Sequence, residues 1–246
     1  MARDWDAATY DRIADPQFGW GAAVVERLEL EGGETVLDAG AGPGRVTELL
    51  LARLTRGRVV ALDGSPAMIE RARERLRPFG DRVRFVVANL GQPIPLAEPV
   101  DAILSTATFH WVPDHDGLFR NLAAVLRPGG QLVAQCGGAG NLDTVVAALR
   151  DLGADPFNAK VFATPEQTRD RLREAGFMDV ECWLDGAPTP FEDERTLETF
   201  LRTCALRDHV AAMSEGDATR FAHDVVTRLP ELALDYVRLN IRARFR

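Results

Sequence analysis

Between Glu34 and Gly138 short apolar runs alternate with stretches of helical spacing. ETVLDAG (34–40), GRVVALDGS (57–65), DRVRFVVANL (81–90), PVDAILSTATF (99–109) and QLVAQCGG (131–138) read as strands. RVTELLLARLT (45–55), PAMIERARERLRPFG (66–80) and DGLFRNLAAVLRPGG (116–130) place their apolar residues three and four apart and read as helices, the second with proline in its first turn and the third with a Pro-Gly stop. Before them AAVVERLEL (22–30) has helical spacing and ends at Gly32-Gly33. After them TPEQTRDRLREAGF (164–177) opens on a cap-like Thr-Pro-Glu and closes at Gly176, and MDVECWL (178–184) follows as a strand. Residues 192–232 read as two or three helices broken near Gly216 and Pro230. In the last stretch Val237, Leu239, Ile241, Ala243 and Phe245 alternate with polar residues, the period of a strand. Strand and helix in alternation mean βαβ units. The expected fold is α/β and doubly wound: a mostly parallel seven-stranded sheet with helices on both faces. The helical insert of about 192–233 and a lid of about 1–20 are expected to cap one domain of 1–246.

Composition narrows the function. The 246 residues are 46% hydrophobic and 27% charged, as in a globular protein able to bury a large core. A net charge of −8 argues against binding nucleic acid through its phosphates. MARDWDAATYD is acidic where a secretory leader is basic and then apolar, and no apolar run approaches the ~20 residues that span a bilayer. The three cysteines are far apart and form no CxxC pair, so neither a disulfide framework nor zinc is indicated. A cytoplasmic protein, monomer or homodimer, with a small-molecule substrate and no membrane or nucleic-acid partner is expected.

VLDAGAGPGR (36–45) carries the chemistry. A glycine-rich turn between strand and helix lets a ligand approach free backbone amides. A triphosphate loop ends in Gly-Lys-Ser/Thr, and there is no lysine here; a GxGxxG dinucleotide loop needs glycine where Arg45 stands. The acid Asp38 would repel a pyrophosphate and suits an ammonium. Asp63, at the end of the second strand, is placed to accept hydrogen bonds from both hydroxyls of a ribose. The ligand implied is a nucleoside bearing an amino acid and no phosphate.

These residues resemble the class I S-adenosylmethionine-dependent methyltransferases, whose folds are Rossmann-like. VLDAGAGPGR is similar to their first motif, VVALDGSPAMIERAR to the second, VRFVVANL to the third and LSTATFHWVPDHDGLFRNLAAVLRPGGQLVAQ to the fourth, over roughly residues 20–140. FHWVPD, Arg-Pro-Gly-Gly and the late insert resemble the trans-aconitate methyltransferase-like group, which methylates small carboxylates. The resemblance implies S-adenosylmethionine as cofactor, with S-adenosylhomocysteine as product. Asp38, Ala39, Gly40 and Gly42 would then surround its methionine end, Asp63 its ribose, Gly64 and Met68 the faces of its adenine, and Asn89 and Leu90 the adenine edge. Ser105 and Thr106 would lie beneath the sulfonium, and Tyr10 would fold over the cofactor. Asn89 replaces the aspartate common in the third motif, and His110-Trp111 the usual Gln-Trp of the fourth. O-methylation of a carboxylate or hydroxyl acceptor is the expected reaction. The alternatives are C- or N-methylation with His110 as base, or cofactor binding without transfer.

His110 follows the fourth strand, where such sheets place their ligands, and an imidazole takes a proton near neutrality. Its competing role is hydrogen bonding alone. Trp111 and Trp20 are the other substrate-contact candidates, with plain packing the competing reading for Trp20. His115, between Asp114 and Asp116, reads as an exposed turn and helix cap rather than a metal ligand, and no metal is expected. Phe191, Phe200, Leu201, Met213 and Phe221 are expected to line the lid. Arg238, Arg242, Arg244 and Arg246, with Arg207, read as a solvated or ion-paired face rather than a carboxylate clamp.

Overall fold

A computed structural model describes residues 15–156 and 160–246. The element order is α1 (Asp15–Val25), β1 (Thr35–Ala39), α2 (Arg45–Arg53), β2 (Arg58–Asp63), α3 (Pro66–Leu76), β3 (Val83–Val87), β4 (Val100–Thr106), α4 (His115–Ala123), β5 (Leu126–Gly137), α5 (Asp143–Asp151), α6 (Pro165–Glu174) and β6 (Phe177–Gly186). Then come β7 (Thr189–Pro190), α7 (Glu194–Thr203), α8 (Arg207–Val210), α9 (Glu215–Val226), β8 (Ala233–Leu234) and β9 (Val237–Phe245). Seven strands form one sheet in the order β3-β2-β1-β4-β5-β9-β6. All pairings are parallel except those of β9, which runs antiparallel to both β5 and β6. The chain winds outward from β1 to β3, then returns to β4. That reversal opens a crevice at the carboxyl ends of β1 and β4, where open α/β sheets bind their ligands.

The central strands are buried on both faces, which is why they read as unbroken apolar runs. Val36, Ala102 and Leu104 point to one side, against Val24 and Val25 of α1, Leu50 and Leu51 of α2 and Leu76 of α3. Leu37, Ala39 and Ile103 point to the other, against Leu118, Phe119 and Leu122 of α4 and Leu172 of α6. A third core joins α5 to the insert through Val145, Leu149, Leu197, Phe200, Leu201, Val225 and Tyr236. Among the described residues no helix is long and apolar enough to cross a membrane.

Several boundaries differ from the sequence reading. The first helix starts at Asp15 and stops at Val25, so only its end coincides with the apolar run from Ala22. Arg127-Pro128-Gly129-Gly130 does not end a helix; it lies inside the irregular start of β5, where the pairing with β4 slips between Val100 and Ala102. Gly216 sits in the first turn of α9, behind a Ser214 cap, and the break falls before it. A two-stranded ribbon, β7 with β8, closes the base of the insert. Thr164 and Gln167 form the full capping box of α6.

Candidate active site

The glycine loop is pinned to the end of β2. Gly40 and Ala41 donate to the Leu62 carbonyl at 2.8 and 2.9 Å, and Gly42 donates to Asp63 Oδ2 at 2.9 Å. The other oxygen of Asp63 accepts from the Ser65 amide at 2.9 Å, and Ser65 caps α3 by accepting from the Met68 amide. One carboxylate therefore fixes both the loop and the following helix. Gly40 has φ +93°, and a Cβ there would lie 2.0 Å from Thr108 Oγ1, so no larger residue fits.

Above this loop lies a cavity of about 330 Å³. Gly40, Gly42, Asp63, Gly64, Met68, Asn89, Leu90, Thr106 and Trp111 line it together with Leu62, Ala88, Ala107, Thr108, Val112 and Arg207. Asn89 holds its own turn, its Oδ1 accepting from the Gly91 amide at 2.9 Å. Ala107 has φ +54°, an uncommon conformation for a residue with a Cβ, and it turns the chain away from β4 into this wall.

A second, smaller cavity of about 60 Å³ adjoins the first, with Ala107 and Trp111 common to both walls. His110, Asn141, Lys160, Phe162, Cys204, Tyr236 and Arg238 also line it. His110 is buried and nearly parallel to Phe162, and its Nδ1 accepts from the Gly137 amide at 3.3 Å. Its pKa is held well below the usual imidazole value, first by burial, then by the charges of Arg238, Lys160 and His115. The ring is thus neutral, with its proton on Nε2. Lys160 lies over the Trp111 ring, 4.4 Å from its centroid, and donates to the Ala205 carbonyl at 2.8 Å. Burial pushes its pKa down to about 8. Arg238, only 3% exposed, lies over Trp20 at 4.6 Å, its Nε directed at Gln135 Oε1.

A sequence profile described as "Methyltransferase domain" matches residues 36–130. The trans-aconitate 2-methyltransferase of Azoarcus sp. is 38% identical over 221 residues, 87% of this chain and 84% of that protein. The enzyme of that name from Methylobacterium nodulans is 35% identical over 195 residues, 78% and 72% of the two chains. The chain belongs to the class I S-adenosylmethionine-dependent methyltransferases, in the trans-aconitate methyltransferase group. A solved structure of Haemonchus contortus phosphoethanolamine N-methyltransferase 2, bound to phosphomonomethylethanolamine and S-adenosylhomocysteine, shares the fold. Its TM-score is 0.64 at 20% identity, with 98% of this chain and 56% of that one covered.

The cofactor of this methyltransferase is S-adenosylmethionine, and the first cavity fits it. The cradle at Gly40 admits a close ligand, Asp63 presents a carboxylate, and Met68, Leu62, Leu90 and Val112 supply apolar walls. Three of the residues expected at the cofactor do not line this cavity. Asp38 is fully buried, accepting from Thr47 Oγ1 at 2.6 Å, with its other oxygen unpartnered among the described residues. Its pKa is raised to about 7, chiefly by burial, opposed by the Thr47 hydroxyl and assisted by Asp63. Ala39 and Ser105 clip β1 to β4, Ser105 Oγ donating to the Ala39 carbonyl at 2.6 Å. Tyr10 lies outside the described residues.

Other expectations are corrected. Trp20 packs edge-on against Tyr236 and beneath Arg238, so it supports the second cavity without lining it. His115 is buried, not exposed: its Nε2 faces the Phe109 carbonyl at 3.0 Å, and the cap of α4 is Asp114. Phe200 and Leu201 pack inside the insert and Met213 faces solvent, and none of the five apolar lid residues lines either of these two cavities. The insert reaches the cavities through Cys204, Ala205 and Arg207 instead. Arg242 and Arg244 pair with Glu29, as a solvated face would, but Arg238 is buried at the second cavity. His223, on the insert surface, lies 2.8 Å from Glu198, and with Glu194 these form a group of possible metal ligands that lines neither cavity. Lys160 was missed, although the sequence carries a signal: it is the single lysine among 29 basic residues.

Proposed function

We propose that this methyltransferase O-methylates a carboxylate of a small organic acid, of the kind that names its trans-aconitate 2-methyltransferase relatives. One observation carries the reading. The cavity that adjoins the cofactor cavity is walled by the cations Lys160 and Arg238, and its imidazole is a poor base.

When bound, S-adenosylmethionine supplies a sulfonium methyl group, which a carboxylate oxygen takes as an ester with no proton to remove, the electron pair of the broken bond returning to sulfur. The protein's part is positioning and exclusion of water. On this reading Asp63 grips the ribose, Met68 and Leu90 flank the adenine, and Asn89 meets its edge. Asp38 acts from beneath, as a buried negative charge toward the ammonium. Thr106, Ala107 and Trp111 form the wall at which donor and acceptor meet. The insert closes over the acceptor within one domain, Arg207 bringing it to the cofactor side; of the expected lid of about 1–20, residues 1–14 lie outside the described residues. His110, neutral, donates from Nε2 and orients the acid.

C- or N-methylation with His110 as base is the rival. It requires a lone pair and a pKa near neutrality, whereas Nδ1 faces the Gly137 amide and burial favours the neutral ring. The two readings separate by screening acids, phenols and amines for S-adenosylhomocysteine release and treating each product with mild alkali. A methyl ester is hydrolysed to methanol. An alkali-stable product, or turnover confined to amines or carbon acids, overturns the proposal.

A further inference from the structure

The second cavity raises a question about charge. As a carboxylate is methylated its negative charge disappears, so a cation touching the reacting oxygens stabilises the starting complex more than the transition state and slows the transfer. A cation touching a different carboxylate of the same molecule loses nothing at the transition state. Buried cations beside the site therefore aid a carboxylate methyltransferase when they hold an anionic group that does not react.

From this we infer that Lys160 and Arg238 bind a second, non-reacting carboxylate of the acceptor, and that they select acids carrying two or more carboxylates over acids carrying one. This rests on the carboxylate reading above. Beside the two cations, the described residues with polar side chains that line the small cavity are His110, Trp111, Asn141, Cys204 and Tyr236. Its volume of about 60 Å³ leaves room for a carboxylate arm. Ala107 and Trp111 belong to both walls, so one short acid can reach from one cavity into the other. Both cations are held in place. Arg238 is stacked on Trp20 and directed by Gln135, which in turn donates to Asn240 at 2.8 Å. Lys160 is stacked on Trp111 and tied to Ala205, while the next residue, Val161, donates to the His110 carbonyl at 2.9 Å. Burial also strengthens whatever ion pair forms there.

Glutaconate carries two carboxylates on a short unsaturated chain, and crotonate carries one. For the wild type, glutaconate and trans-aconitate should be methylated with a far lower KM than crotonate. Lys160→Gln should raise KM for the two polyacids by about 30-fold or more, as expected for losing one partner of a buried charge pair. It should change the KM for crotonate several-fold less than that for the polyacids, and leave calorimetric S-adenosylmethionine binding unchanged. Arg238→Lys keeps the charge if Arg238→Gln fails to fold, and should lie between the two. Lys160→Arg should keep the preference and abolish the rise of KM between pH 7 and 9. That rise reports Lys160 losing its proton amid Asp208 and Arg207 of α8, Cys204, His110 and Arg238.

A second readout needs no turnover. Because Lys160 is the only lysine, its acetylation by acetic anhydride can be followed by peptide mass. Glutaconate and trans-aconitate should slow it, and crotonate should not. Equal KM effects on mono- and polyacids, or equal protection by crotonate and glutaconate, overturn the inference while leaving carboxylate methylation standing. Selective protection without methylation of any acid supports the anion site and overturns the carboxylate reading.

Discussion

Asp38→Asn separates what the buried carboxylate costs from what it does. The ordinary aspartate value is 3.8, and burial raises Asp38 to about 7. Well below pH 3.8 the group carries its proton in both folded and unfolded chains, and nothing is lost. As pH rises toward 7 the unfolded chain releases that proton first, so the native state falls relative to it, and above 7 the deficit stays constant. At about 1.4 kcal/mol per factor of ten in proton affinity, the full loss is on the order of 4 kcal/mol. Asparagine keeps the shape and the acceptor for Thr47. Its NH₂ replaces an oxygen with no partner among the described residues, at a cost of about 1–3 kcal/mol that does not change with pH. Urea denaturation of both proteins at pH 4.5, 6.0 and 7.5 should therefore show the stability of the variant rising, relative to wild type, by a few kcal/mol across the series. A difference that stays flat refutes the account of Asp38 as a destabilised anion. A bound ammonium favours the charged form, so wild-type affinity for S-adenosylmethionine should rise from pH 6 to 8, and that of the variant should be weaker and level.

The remaining predictions test the rest of the site. Asp63→Ala removes the anchor of Gly42 and, on the proposed reading, two charge-assisted ribose contacts, so calorimetry should show S-adenosylhomocysteine binding weakened on the order of 100-fold; unchanged affinity would move the ribose elsewhere. Gly40→Ala places a Cβ 2.0 Å from Thr108 Oγ1 at a φ of +93° and should abolish cofactor binding. Adding Thr108→Gly should restore part of it, leaving the backbone strain of about 1–3 kcal/mol in place. His110→Gln keeps a neutral donor, so turnover of a carboxylate acceptor should persist from pH 6 to 9. Loss of a rate-controlling ionisation in that variant would reinstate the base.

The sequence by itself determined the alternation of strands and helices, the glycine loop and the acid at the end of the second strand. It could do so because each is local: a period of two or 3.6, a turn that only glycine makes, a carboxylate about 20 residues past the loop. That residues from Gly40 to Thr106 would line one cavity was legible for the same reason, since the carboxyl ends of successive parallel strands meet by topology. What tertiary structure decided was charge and access. Asp38 reads as an acid at the end of the first strand suited to an ammonium, and β1 lies in the middle of the sheet and buries it. The polar side of β9 reads as solvated, yet α1 covers its start, so Arg238 meets Trp20 while Arg242 and Arg244 stay outside with Glu29. Lys160, Cys204 and the Tyr236–Arg238 pair come from three separate stretches of chain, and no periodicity links them to His110. The glycine loop is written in a short segment, whereas the second cavity exists only once the insert, β9 and the turn after β4 are packed together.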